Sequence, residues 1–78
     1  MGGSIPIVRP KEVIRALVRA GFYIFEQRGS HVQLKHPHRA GKITVPYHNK
    51  DLLPKVLKTI VEKQAGLTMD EFVYLLKK

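Results

Sequence analysis

The sequence lacks several features that would each define a class of protein. It contains no cysteine, which excludes a disulfide framework, a thiolate metal site and a cysteine nucleophile. No apolar run approaches the ~20 residues of a membrane-spanning helix. No long apolar segment follows residues 1–4, so the pattern of a signal peptide is also missing. We therefore expect a cytoplasmic protein that is not inserted in a membrane.

Acidic residues are scarce. Six Asp and Glu stand against 14 Lys and Arg among the 78 residues, which gives a formal net charge of +8. Such an excess attracts polyanions and accelerates encounter with them. Nucleic acid is the first candidate partner, an anionic membrane surface the second and an acidic protein the third. A basic surface that serves solubility alone is the remaining interpretation.

The length of the chain allows one domain with one core. A domain of this size buries only about 60% of its unfolded surface, so any chemistry has to take place on an open face or at an edge. We predict residues 1–9 as an N-terminal extension, of which residues 1–4 could be a cloning remnant. Residues 10–78 are predicted as a single domain.

Apolar residues at helical spacing predict three helices. Pro10 suits a first helical turn and Gly21 a helix end, so helix one is expected over residues 10–20. Helix two is expected to begin between Asp51 and Pro54 and to end at Gly66. Thr68 opens a capping-box pattern for a short last helix. The predicted buried stripes are Ile14, Leu17, Val18 and Gly21 in helix one, and Leu53, Val56, Leu57, Ile60, Val61 and Gln64 in helix two.

Alternating residues between the first two helices predict three short strands. The first contains residues 22–25, the second follows a turn and ends at Pro37, and the third covers about residues 42–46 after a loop over 37–41. The pattern places Phe22, Ile24, Val32, Leu34, Ile43 and Val45 toward the core, and Tyr23, Phe25, His31, Gln33 and Lys35 on the opposite face. We therefore predict an α+β fold in two layers, with a three-stranded antiparallel sheet and its helices on one face.

His31 stands out among the four histidines because of its surroundings. The Gly29-Ser30 turn places it at the start of a strand, with Arg28 across the turn and Lys35 on the same face. RNA carries its own nucleophile, the 2′-hydroxyl, so cleavage needs proton transfer and cationic groups but no metal. A histidine can transfer protons near neutral pH. These residues leave a second interpretation open, an ordinary exposed strand histidine.

Two other groups of residues could contact RNA. Lys11, Arg15 and Arg19 form a cationic stripe on helix one, which could follow a phosphate backbone or simply be a solvated helix face. Tyr23 and Phe25 could stack on unpaired bases, bind a protein partner, or be buried by the last helix or a loop. The histidines have no convincing metal spacing, so we expect neither a metal site nor a cofactor.

Several short segments together resemble one known family. They are Lys11-Glu12-Val13-Ile14, Ala20-Gly21-Phe22, Arg28-Gly29-Ser30-His31, His36-Pro37, Val45-Pro46-Tyr47-His48 and Gln64-Ala65-Gly66-Leu67. In this order and spacing, over about residues 10–76, they resemble the HicA-type toxins, the small RNA-cleaving halves of toxin–antitoxin pairs. One segment departs from the family, whose members often have Gly-Thr where this chain has Leu53-Pro54-Lys55.

The resemblance implies a fold like that of double-stranded-RNA-binding domains and metal-independent cleavage of mRNA. Carried over by position, His31 becomes the catalytic residue, with Gly29 and Ser30 as the turn that positions it. Apart from the resemblance, the charge and placement of Arg28, Lys35 and the helix-one stripe make these residues candidate RNA contacts. The resemblance also implies a HicB-like antitoxin that covers the His31 face.

Two alternatives to an RNA-cleaving toxin remain at this stage. A non-catalytic double-stranded-RNA-binding module would bind duplexes of about 16 base pairs without cutting them. A protein-interaction subunit would dock an acidic partner on its open sheet face. The second group for proton transfer is also open among Tyr47, His48 and Lys35.

Overall fold

The structure is a computed structural model that describes residues 5–78, and it confirms the predicted α+β fold. The order of elements is α-β-β-β-α-α, and the second helix continues into a π-helical segment. Residues 1–4 of the predicted N-terminal extension lie outside the described residues. The elements are α1 (Pro10–Arg19), β1 (Tyr23–Arg28), β2 (His31–His36), β3 (Arg39–Pro46), α2 (Pro54–Lys58) with its π segment (Thr59–Gln64), and α3 (Met69–Leu76).

The three strands form one antiparallel sheet in the order β1-β2-β3. A two-residue turn joins β1 to β2, and its first residue, Gly29, has a φ of 57°. A positive φ at this position is typical of the tight hairpin turns that match the twist of a sheet. The register pairs His31 with Arg28 on one side and with Pro46 on the other.

The core lies on one face of the sheet. Val32, Leu34, Ile43 and Val45 are buried there, as the alternation predicts. The helices cover this face with further buried side chains, namely Val13, Ala16, Leu17, Leu57, Ile60, Val61 and Phe72. His31 and Lys35 are exposed on the opposite face. The predicted arrangement of helices on one face of the sheet is therefore correct.

Some residues predicted to be buried are exposed. Val18 is 47% exposed, because the buried stripe of α1 runs through Val13, Ala16 and Leu17 instead. Ile24 is 50% exposed because β1 is an edge strand, which the helices leave partly uncovered. Leu53 precedes the first turn of α2 and is 69% exposed. The loop predicted over residues 37–41 is shorter than expected, because residues 39–41 belong to β3.

The helix ends form as their sequences predict. Gly21 has a φ of 103° just beyond α1, a backbone conformation that favours glycine after a helix. At α3, the Glu71 backbone N–H donates to the Thr68 hydroxyl and the Thr68 N–H donates to the Glu71 carboxylate. Before α1, Val8 is buried and its carbonyl accepts a hydrogen bond from the Leu52 N–H at 2.9 Å. No helix within residues 5–78 is long and apolar enough to cross a membrane.

Candidate functional site

His31 lies on the open face at the end of the sheet where β1 and β2 are joined. It is the first residue of β2, and its side chain is exposed. Residues directly opposite each other in an antiparallel sheet present their side chains on the same face. Arg28 and Pro46 therefore flank His31, one from each neighbouring strand.

Two backbone features fix the position of His31. The turn at Gly29 determines where β2 begins, because a left-handed backbone conformation there closes the hairpin after two residues. The Tyr47 N–H donates to the Ser30 carbonyl at 2.6 Å, which extends the pairing of β2 and β3 past Pro46. Backbone pairing on both sides of this segment thus fixes the backbone at His31, from which the imidazole projects.

A groove of about 370 Å³ lies beside His31, at the edge of the sheet between β3 and the second helix. The sheet contributes His31, Thr44 and Pro46 to its lining. The helix contributes Lys55, Val56, Thr59, Ile60 and Gln64. The groove joins an imidazole and an ammonium group to a lining of mixed polarity, which is a combination suited to a phosphate ester with an organic substituent.

The helical wall of the groove depends on a change in helical geometry. Lys55 and Thr59 are four residues apart in sequence, a spacing that puts two side chains on the same face of an α-helix. Gln64 is five residues beyond Thr59, which in an α-helix would place it about 140° away around the axis. In the π segment, hydrogen bonds join residues five apart, as in the bond from the Ala65 N–H to the Ile60 carbonyl at 2.9 Å. This wider turn brings Gln64 beneath Thr59.

The π segment is attached to the edge of the sheet by side chains. The Thr44 N–H of β3 donates to Gln64 Oε1 at 3.0 Å. At the other end of β3, the Arg39 guanidinium donates to the Ala65 carbonyl. The bond between Thr44 and Gln64 joins the two walls of the groove, and the bond from Arg39 anchors the end of the π segment to β3. The shape of the groove is therefore set by tertiary contacts that local sequence patterns do not reveal.

The two cations predicted to assist His31 have different surroundings. Arg28 is directly opposite His31, and its guanidinium forms an ion pair with Glu26 at 2.8 Å. Lys35 is four residues along β2 from His31, which corresponds to about 13 Å. Its ammonium group lies 4.5 Å from the centre of the Phe25 ring. Arg28 is thus a neighbour of the imidazole, and Lys35 extends the cationic surface away from it.

The aromatic residues of β1 remain accessible. Tyr23, Ile24 and Phe25 are between 39% and 50% exposed, so neither the last helix nor a loop buries them. Tyr23 pairs with Lys35 in the register. Rings next to an ammonium group on the His31 face are consistent with both remaining interpretations, base stacking and protein binding.

The cationic stripe on α1 lies elsewhere. Its helix packs on the buried face of the sheet, whereas His31 is on the opposite face. The Arg19 guanidinium donates to the Leu75 carbonyl of α3 at 2.7 Å, so this residue has a structural role. Arg15 is exposed. Lys11 lines a separate groove of about 210 Å³ together with Arg9, Tyr47, His48 and Asn49.

The other histidines have local structural contacts. His36 Nδ1 accepts a hydrogen bond from the His38 N–H, and its ring packs edge-to-face on Phe22 at 5.0 Å. His48 Nδ1 accepts one from the Lys50 N–H at 3.2 Å. Within residues 5–78, no group of three or more His, Asp or Glu is arranged to hold a metal ion.

Comparison with known proteins identifies the family. The family model described as "HicA toxin of bacterial toxin-antitoxin" matches residues 10–67. These residues contain α1, the whole sheet, α2 and the π segment, and therefore both walls of the groove. The comparison with curated proteins gives no match. The chain belongs to the HicA toxins of bacterial toxin–antitoxin systems, as its resemblance to them predicts.

Proposed function

We propose that this toxin is an endoribonuclease that cleaves mRNA without a metal, with His31 as its catalytic residue. The observation that carries the proposal is the placement of His31, an exposed imidazole that faces a groove containing Lys55 and lies opposite Arg28. Membership in a toxin family supports the toxin role. The proposal that RNA is the target rests on the site and on the net charge of +8.

In the proposed reaction, the 2′-oxygen of one nucleotide attacks the adjacent phosphorus and the bond from phosphorus to the 5′-oxygen breaks. The products are a 2′,3′-cyclic phosphate and a 5′-hydroxyl. A base accepts the proton of the 2′-hydroxyl, and an acid gives a proton to the departing 5′-oxygen. His31 performs one of these transfers, and neighbouring cations stabilise the negative charge that develops on the phosphoryl oxygens.

The three candidates for the second proton transfer differ in their placement. The Tyr47 backbone N–H is bonded to Ser30, the residue before His31, and His48 is one residue further along. Tyr47 and His48 both line the groove that contains Arg9 and Lys11. Lys35 is about 13 Å from His31 along the strand. We therefore propose that Tyr47 or His48 performs the second transfer.

RNA binding is proposed to follow the open face of the sheet. Arg28 and Lys35 contact phosphates on either side of the cleaved bond, and Tyr23 and Phe25 stack on bases. Lys11, Arg15 and Arg19 contact phosphates only where the RNA passes to the α1 side of the molecule. The strand and helix order agrees with a fold like that of double-stranded-RNA-binding domains.

Membership in a toxin–antitoxin family implies an antitoxin partner. We propose that this partner is HicB-like and covers the His31 face. Tyr23, Ile24 and Phe25 offer exposed apolar surface at the edge of the sheet, and the surrounding surface is basic. An antitoxin whose contact surface combines acidic and apolar side chains would complement both properties. The toxin and its partner are proposed to act in the cytoplasm.

The test is cleavage of a single-stranded RNA by the purified protein in EDTA. We expect the parent to cleave and His31→Ala to be slower by about 10²–10⁴-fold, the usual contribution of general acid–base catalysis. His38→Ala removes an exposed histidine at the other hairpin and serves as the matched control, with a rate near that of the parent. A His31→Ala rate equal to that of the control would refute the assignment.

The same preparation tests the non-catalytic alternative. A double-stranded-RNA-binding module would bind a duplex of about 16 base pairs and leave it intact. Binding of the duplex without cleavage of any RNA would favour that alternative over the proposed enzyme.

A further inference from the structure

We propose that the groove beside His31 is the binding site for the cleaved phosphate and its adjoining nucleotide, with Lys55 as the phosphate contact. This inference rests on the proposed function and deepens it, because it assigns the contact with the cleaved phosphate to Lys55 and not to Arg28 or Lys35. The ligand is a phosphodiester of single-stranded RNA.

Lys55 is the one lysine, arginine, aspartate or glutamate among the groove's lining residues. It is the second residue of α2 and is exposed. Lys58 and Lys63 belong to the same helical stretch, yet neither lines the groove. An ammonium group that faces the same space as the imidazole can contact the phosphate on which the imidazole acts.

The alternative cations are less favourably placed for this contact. The carboxylate of Glu26 holds the Arg28 guanidinium at 2.8 Å, so a phosphate has to compete with an existing ion pair. Lys35 is about 13 Å along the strand from His31. Electrostatic stabilisation falls with distance, and a charge at that range contributes little at the cleaved bond.

The remaining lining residues suit a nucleoside. Val56, Ile60 and Pro46 provide apolar surface for the faces of a base or sugar. Gln64 uses its Oε1 to accept the Thr44 N–H, which leaves its Nε2 hydrogens for a ligand acceptor. The Thr59 hydroxyl donates to the Lys55 carbonyl at 3.0 Å, so its oxygen lone pairs remain as acceptors.

The first experiment compares Lys55→Ala with Lys58→Ala, its matched control on α2. We expect Lys55→Ala to lower kcat/KM for RNA cleavage about 10- to 100-fold and Lys58→Ala to change it less than about threefold. Lys55→Arg should recover much of the loss, since it restores the positive charge. The substitution leaves the backbone carbonyl that binds Thr59 in place, and circular dichroism checks that each variant is folded.

A second experiment blocks the groove. Thr59→Phe adds a ring to the helical wall, and Glu62→Phe adds the same ring to the π segment at a residue that does not line the groove. We expect Thr59→Phe to reduce cleavage at least tenfold and Glu62→Phe to leave it near the parent rate. Equal rates for the two variants would overturn the proposal.

A binding assay separates this proposal from the proposed function. The probe is a fluorescein-labelled single-stranded RNA with 2′-O-methyl groups, which lacks the nucleophile for cleavage. Lys55→Ala should weaken binding. It should also make the fall of log affinity with log salt concentration less steep by about 0.7, the value for one phosphate contact.

If the parent binds this probe but cleaves no RNA, the proposed function fails and the binding result alone decides whether Lys55 contacts phosphate. If Lys55→Ala behaves as Lys58→Ala does in both assays, the groove is not the phosphate site. A parent that neither binds nor cleaves RNA would overturn both proposals.

Discussion

Replacement of Gly29 by alanine tests whether the hairpin turn places His31. Gly29 has a φ of +57°, and a Cβ added there meets no atom within 4 Å, so the substitution strains the backbone without a steric clash. Left-handed backbone costs an L-residue about 1–2 kcal/mol. Alanine regains about 0.4–1 kcal/mol by restricting the unfolded chain. The expected net loss is about 1 kcal/mol, which a domain with roughly 4–12 kcal/mol of stability tolerates.

Gly41→Ala is the matched control for this substitution. Gly41 also has a positive φ, +85°, with no atom within 4 Å of an added Cβ. It lies in β3 about 16 Å along the strand from Pro46, the residue opposite His31. Urea unfolding followed by circular dichroism measures stability, and initial rates measure RNA cleavage. We expect similar losses of stability from both variants and a loss of cleavage, up to about 100-fold, from Gly29→Ala alone.

Two results would refute the reasoning about the turn. Gly29→Ala could lose the expected stability and still cleave at the parent rate, in which case the turn does not determine where His31 acts. Alternatively, both variants could lose cleavage to the same degree. The effect would then follow from stability, and the geometry of the first hairpin would have no special role.

Three further predictions concern α3. Phe72→Ala should cost about 3–5 kcal/mol of unfolding free energy in urea because Phe72 is fully buried, whereas Tyr74→Ala, at a residue 64% exposed, should cost less than about 1 kcal/mol. The hydrogen bond from the Thr68 backbone N–H lowers the pKa of the Glu71 carboxyl below its ordinary value. The ionised carboxylate therefore stabilises the folded protein above that ordinary value, and this contribution is lost as the pH falls through the lowered pKa. In urea unfolding at a series of acidic pH values, Glu71→Gln should therefore lose less stability than the parent. Arg19→Ala should cost about 1–2 kcal/mol in urea, since its guanidinium donates to a carbonyl at the end of α3.

The features that the sequence predicts well are those determined by neighbouring residues. Gly29 and Ser30 specify a two-residue turn, and alternation along β2 then determines that Val32 is buried and His31 exposed. Thr68 and Glu71 similarly specify the start of α3. In each case interactions between residues close in sequence determine the local backbone conformation. The position of His31 therefore follows from a short segment.

The errors concern residues whose burial depends on distant elements. Ile24 has the correct alternation for the core face, and it pairs with the buried Leu34. It is half-exposed because β1 is at the edge of the sheet, and strand order is a tertiary property. The predicted stripe of α1 runs through Ile14, Leu17 and Val18, whereas the buried stripe runs through Val13, Ala16 and Leu17. Both sets have helical spacing, so the apolar pattern alone does not distinguish them.

The groove shows why the partners of His31 are harder to predict than His31 itself. A regular α-helix continued from Lys55 would place Lys63, four residues beyond Thr59, on the groove wall. The π segment adds a residue to the turn and puts Gln64 there instead. The wall thus carries the side-chain amide of Gln64, which is hydrogen-bonded to Thr44 of β3, in place of a second ammonium group. One extra residue in a helical turn therefore leaves Lys55 as the cation of the groove. Whether that extra residue is accommodated depends on tertiary structure, which the local sequence does not specify.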